Sequence, residues 1–204
     1  MSNRLKLTLL GKPCVIQDGG PLTGLVYKKS LALLAYLAVT GRAHSREALA
    51  GLLWGRSPEA NARASLRKVL ADLRPKVPSH LAVTRHEIAF DQESPYWLDV
   101  EAFDRQAVKA IRRRDGPLSD KDVAALAKAV DLYRGDFLEG FYVHQAPAFE
   151  EWVLLERERL RLSALRALLH WPAITRRRAH MRRPSPTPAA CWRWSRPRRR
   201  RTGT

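Results

Sequence analysis

Two prolines, Pro58 and Pro75, bracket a stretch whose apolar residues fit one face of a single helix. Ala62, Leu66, Val69, Leu70 and Leu73 recur at helical spacing. At about 100° per residue they form one stripe, wide enough to be the buried side of an amphipathic helix. Proline suits a first helical turn and breaks an interior. The segment 57–74 is therefore expected to be a helix with Ser57 as N-cap, Pro58 in the first helical position and Pro75 as its stop. Asn61, Ala64 and Lys68 point away from the stripe, Ser65 and Arg67 flank them, and Arg63 and Arg74 lie near the boundary. Such a face suits the major groove of duplex DNA: small residues allow close approach, Lys and Arg reach phosphate or guanine, and Asn pairs with adenine. The competing reading is a solvated basic face, which is common on helices.

The flanking segments favour the first reading. Before it, 28–40 reads as a helix, with Leu31, Leu34, Ala35 and Ala38 in phase and Gly41 as its stop. A second helix begins behind Ser45, a good N-cap. Glu47 lies in its first turn, where a carboxylate meets the positive end of the helix dipole. That helix runs through Leu49, Leu52 and Leu53 to Trp54 and halts at Gly55. Earlier still, 5–10 alternates like a strand, 14–16 is a second strand, and Asp18-Gly19-Gly20-Pro21 is a turn, so a small antiparallel sheet opens the chain. After Pro75, 81–84 and 87–90 form a hairpin around Arg85-His86, and Tyr96-Trp97-Leu98 is a further strand. This order is a winged helix-turn-helix domain over 1–98. Arg85 at the wing turn is a candidate for the minor groove or its flanking phosphates. Lys28 and Lys29 are candidates for phosphate contact, with ordinary surface lysines as the alternative.

From Asp99 the pattern is helical only. One helix covers 100–114 and closes at Asp115-Gly116-Pro117; a second, capped by Ser119, reaches Tyr133 and ends at Arg134-Gly135. Pro147 opens a third, to His170, with Phe149, Trp152, Val153, Leu160 and Leu168 available for packing. Antiparallel helices of this size predict a tetratricopeptide-like repeat domain over 99–170. Three helices are an incomplete array, so Leu160, Leu165 and Leu168 are expected to lack neighbours. The fold class is mainly α with small β elements.

Charge divides the chain differently. The net charge is +17, but 171–204 hold 11 arginines and no acid; the remainder has 26 basic and 20 acidic residues, or +6, which only mildly favours nucleic acid. Five of the 13 prolines also fall in 171–204, no amphipathic period survives there, and disorder is expected.

The motifs resemble a known family. Leu9-Leu10-Gly11, the run Lys29 to Ala38, and Ser45-Arg46-Glu47 through Leu52-Leu53-Trp54 are similar to the start of the Streptomyces antibiotic regulatory proteins. Ala62-Arg63-Ala64-Ser65-Leu66-Arg67 is similar to their recognition helix. Leu132-Tyr133-Arg134-Gly135-Asp136-Phe137-Leu138-Glu139-Gly140-Phe141 and Phe149-Glu150-Glu151-Trp152-Val153 resemble their bacterial transcriptional activator domain. The resemblance implies an OmpR-like winged helix binding promoter-proximal repeats, and a helical domain used for homodimer contacts and for RNA polymerase. It departs at 171–204, where the family continues in amphipathic helices. A codon frame one base earlier after His170 reads Leu-Ala, which a continuing helix would want. A shifted reading frame and a genuine basic tail both stand as explanations.

Other classes fit poorly. The six histidines form no metal-ligand spacing with each other or with Cys14 and Cys191, and there is no G-x-S-x-G or GxxxxGK[ST] motif, so an enzyme, a metal site and a nucleotide cofactor are not expected. No apolar stretch approaches 18 residues, and two distant cysteines make no disulfide framework; a cytoplasmic, nucleoid-associated protein is expected. The sequence-specific regulator reading leaves three rivals: a protein-interaction module, an RNA binder led by the tail with Trp192 and Trp194 as stacking residues, and an inactive fragment of a larger regulator.

Overall fold

The computed structural model describes residues 4–111 and 120–169. The turn expected at 115–117, the Ser119 cap, Cys191 and the tail 171–204 lie outside the described residues. The first sheet is built from β1 (Leu5–Thr8), β2 (Cys14–Gln17) and β3 (Gly20–Pro21), paired antiparallel, with Leu7 opposite Val15. Alternation works as expected: Leu5 and Leu7 are buried and Lys6 faces out. β7 (Tyr96–Leu98) joins the free edge of β1 in parallel, with Leu7 opposite Leu98. Parallel neighbours need a long crossover, and here it contains all three helices of the winged helix.

Those helices are α1 (Lys28–Thr40), α2 (Arg46–Trp54) and α3 (Glu59–Leu73). α1 has the expected bounds, but it is buried almost all round, from Ser30 to Ala35 and at Leu37 and Ala38, because α3, the wing and the helical domain surround it. Gly41 ends it in the left-handed region at φ 60°, donating its N–H to Leu37 O. Ser45 caps α2 by accepting from the Ala48 N–H at 3.1 Å. The expected cap of α3 is corrected. Pro58, not Ser57, occupies the cap position, and the first helical bond runs from Ala62 N–H to Pro58 O. Ser57 lies one residue too early, and its N–H closes the preceding turn onto Trp54 O.

The wing is a second sheet: β5 (Leu81–Val83) and β6 (Glu87–Phe90), joined by Thr84-Arg85-His86, plus the two-residue β4 (His44–Ser45) on the other edge of β6. Asp72 on α3 clamps the winged helix together. Its carboxylate accepts from Ser30 Oγ at 2.6 Å and the Val26 N–H at 3.2 Å, and pairs with Lys76. Burial alone would push this carboxyl up, but the bonds from Lys76, Ser30 and Val26 outweigh it and hold it below its ordinary value of 3.8. The folded chain thus binds this proton less tightly than the unfolded chain. The contribution is present above the ordinary carboxylate value and is lost as pH falls through the lower, folded-state value. Asp72→Asn should therefore be less stable than the native chain near neutral pH, and the gap should close on acidification below about pH 4. Urea unfolding of both proteins across that range measures it; a gap that ignores pH would remove the carboxylate from the account.

The helical part comprises α4 (Asp99–Ile111), α5 (Asp120–Leu132) and α6 (Pro147–Leu169). Residues 134–141 do not merely connect α5 to α6. They dock on the segment just after β1: Gly11 N–H donates to Asp136 O, Leu138 N–H to Leu9 O, and Glu139 N–H to Gly11 O. A Cβ on Gly135 would stand 3.2 Å from the Gly11 Cα and displace the Glu139 carboxylate, so a side chain there would push the two segments apart by a few tenths of an ångström. Arg157 of α6 donates to the Phe137 and Leu138 carbonyls. Tyr36, Phe137 and Phe149 all pack on Trp152 with ring centroids 4.8–5.5 Å apart, and one core runs from the first sheet into α6. Leu160 is fully buried in that core, against expectation, while Leu165 and Leu168 are exposed, together with Leu154, Leu155, Leu162 and Leu169. Among the described residues no helix is long and apolar enough to cross a membrane.

Candidate nucleic-acid interface

The apolar stripe of α3 fixes what its other side can offer. Ala62, Leu66, Val69, Leu70 and Leu73 are all buried, as their spacing requires. Asn61, Arg63, Arg67 and Lys68 are consequently exposed, and Ala64 and Ser65 are half-buried. At about 100° per residue, Arg63 and Arg67 lie on one edge of the outer face and Asn61 and Lys68 on the other. The first edge borders a cleft of about 360 Å³ between α3, the start of α2 and the wing turn. Its polar lining is Ser45, Arg46, Glu47, Arg63, Arg67, Arg85 and His86.

Local bonding explains why these groups meet. Arg46 donates its N–H to His86 O at 3.0 Å and its Nε–H to Thr84 O at 3.1 Å, which fastens the first turn of α2 to the wing. Thr84 Oγ1 accepts from the His86 and Glu87 N–H groups, so the turn carrying Arg85 is held from within. Four arginines from three elements thus surround one opening. A cleft dominated by one charge sign attracts polyanions.

The candidate residues divide under this geometry. Arg63, Arg67 and Arg85 meet in the cleft; Asn61, Ser65 and Lys68 lie along the same helix outside its lining. Lys28 is exposed at the start of α1, away from the lining of the cleft. Lys29 is committed elsewhere. Its Nζ donates to Leu53 O at 2.6 Å and sits 4.8 Å from the centre of the Trp54 ring, and burial lowers its pKa. It closes the C-terminal end of α2, where a cation meets the negative end of the helix dipole. Arg46 and His86 are cleft residues that pattern reading passes over. The signal available for Arg46 was its place directly after the Ser45 cap, at a helix N-terminus where anions are favoured.

Fold and cleft define a winged helix with an α-helical domain packed on its first sheet. Within that class the chain is similar to EmbR of Mycobacterium tuberculosis, solved in complex with a low-affinity phosphopeptide. The two are 21% identical and superpose with a TM-score of 0.63 over 86% of this chain and 48% of that one. The chain therefore spans about half the length of this neighbour, and the likeness is one of fold. No protein-family model matches the chain, and no curated protein matches it in sequence.

Proposed function

We propose that this chain is a transcription regulator that binds double-stranded DNA sequence-specifically, with α3 in the major groove and the Arg85-His86 turn at the neighbouring minor groove. The carrying observation is the convergence of Arg46, Arg63, Arg67 and Arg85 on one cleft beside the outer face of α3. Asn61, Ser65 and Lys68 complete the contact set along the helix, and Lys28, exposed at the start of α1, is a separate candidate for phosphate; Lys29 is left out because its ammonium serves α2. The fold shared with EmbR and the resemblance to the antibiotic regulatory proteins support the regulator class. Activation, contact with RNA polymerase, homodimer formation, and a cytoplasmic site on the nucleoid rest on the resemblance. The chain carries no assigned catalytic role in this reading.

Binding to a duplex enriched from a randomised pool tests the proposal. Arg67→Ala with Lys68→Ala should weaken binding and flatten its salt dependence, by about one unit of slope for each phosphate no longer neutralised. Unchanged affinity and slope would place the interface elsewhere. A protein-docking module is the second reading, favoured by the exposed leucines of α6. It predicts no salt-dependent duplex binding by the native chain.

A further inference from the structure

α6 is apolar on two opposite sides. With Leu160 as the reference direction and about 100° per residue, Phe149, Val153, Ala164 and Ala167 lie within about 40° of it, and all are buried. Leu155, Leu162, Leu165 and Leu169 lie within about 40° of the opposite direction, and all are exposed. The first side packs into the core and against α5. The second is a row about 21 Å long, from Leu155 to Leu169, with no such cover among the described residues. An exposed apolar row of this kind marks an interaction surface.

The charges beside the row narrow what can cover it. Beyond Glu158, α6 carries Arg159, Arg161 and Arg166 and no acid. Arg159 is taken by Asp104 and Glu156. Arg161 and Arg166 are exposed, form no ion pair among the described residues, and fall on opposite flanks of the row. A second copy of α6 fits badly. In a two-fold pair, antiparallel or parallel, both rows bring the same arginine-bearing flanks to the seam, so like charges face each other. Residues 171–204, with 11 arginines and no acid, bring the same conflict. An amphipathic helix with acids beside its apolar stripe matches both features: leucine packs on leucine, and carboxylates meet Arg161 and Arg166. Glu151 and Glu158 lie on the N-terminal part of the row, so the partner's acids belong opposite 159–169. We propose that the outer face of α6 docks an acidic amphipathic helix of another protein, with Arg161 and Arg166 selecting its charge. The face is separate from the cleft, whose lining includes no residue of α6, so this docking does not depend on DNA binding.

Two labelled synthetic peptides are the probes: a helix former with leucine at heptad spacing and Glu on both flanks, and its copy with Lys for every Glu. Fluorescence anisotropy with the full chain should show the Glu peptide bound about tenfold tighter or more than the Lys peptide. Arg161→Glu with Arg166→Glu should cut that preference roughly tenfold. Leu162→Ser with Leu165→Ser, both exposed, should leave the denaturation midpoint in place and weaken the Glu peptide as much. Arg56→Glu with Arg74→Glu makes the same change of net charge on the exposed surface of the winged helix and should leave peptide binding within about twofold. The arginines of 171–204 are the same in every chain, so attraction by them alone appears as equal losses in the two arginine pairs, which would overturn the assignment. So would a native chain that binds both peptides alike or binds neither, or leucine substitutions without effect. Sedimentation of the native chain tests the second copy: a dimer dissolved by the leucine substitutions would replace the acidic partner with self-association. Failure of the native chain to bind any duplex would sink the DNA reading and leave these expectations standing.

Discussion

Replacing Asp99 with alanine should destabilise the chain by roughly 3–5 kcal/mol, summed over the buried N–H groups it would strand. Asp99 opens α4 directly after β7 and is 2% exposed. One carboxylate oxygen accepts from the Leu9 N–H at 2.8 Å and the Leu10 N–H at 2.9 Å; the other accepts from the Val100 N–H. These are the backbone groups where β1 gives way to the edge on which 134–141 docks. No water reaches them easily, so stranding them is not repaired by solvent. Asp99→Asn keeps one oxygen and should cost less. Burial raises the pKa of this carboxyl despite its three N–H donors. Its pH term is thus opposite in sign to that of Asp72: the folded chain binds this proton more tightly, and that stabilisation is lost as pH rises through the folded-state value. Chemical denaturation of the three proteins at one pH ranks them; a near-neutral alanine variant would show that Leu9 and Leu10 find other acceptors.

Phe137→Ala should cost about 3–5 kcal/mol, the range for a large aromatic removed from a packed interior. The ring is fully buried, 5.5 Å from Trp152 in an edge-to-face arrangement. Its backbone forms a bridge with Leu10, and its carbonyl is held by Arg157. The cavity left would lie between the first sheet and α6, where neither side can collapse without breaking those bonds. The expected result in denaturant is an earlier midpoint, accompanied by easier proteolysis within 134–146. A stability change below about 1 kcal/mol would mean that this segment packs on the sheet without joining it to α6.

Much of the winged helix is legible because its signals are local. The α3 stripe, the bounds of α1, the Ser45 cap and the Arg85-His86 turn each follow from residues within a turn or two of one another. What escapes depends on partners far along the chain. Tyr96–Leu98 reads as a strand, but its neighbour β1 lies some 90 residues earlier. His44–Ser45 is too short to show an alternation and is a strand only because β6 lies beside it. Lys29 reads as a free cation until α2 folds back over it. Glu47 reads as a dipole partner for α2, which it is; nothing within one helical turn announces Arg63, 16 residues on. The Leu132-to-Phe141 motif is visible as a motif, yet its work is main-chain pairing with Leu9 and Gly11, which no side-chain period reports. Leu160 is expected to lack neighbours only if each helix of a repeat array packs solely on the next one. Here the winged helix itself supplies packing for α6.

That docking has a geometric consequence. Three main-chain bonds fasten 134–141 to the first sheet, and Arg157 fastens α6 to 134–141. With α3 in a major groove, as proposed, α6 would stand at one fixed compass bearing around the DNA axis. The duplex turns once in about 10.5 base pairs, so moving the binding site by a whole turn would carry the leucine-lined side of α6 along the same flank of the DNA. Moving it by half a turn would carry that side to the opposite flank, out of reach of anything waiting on the first.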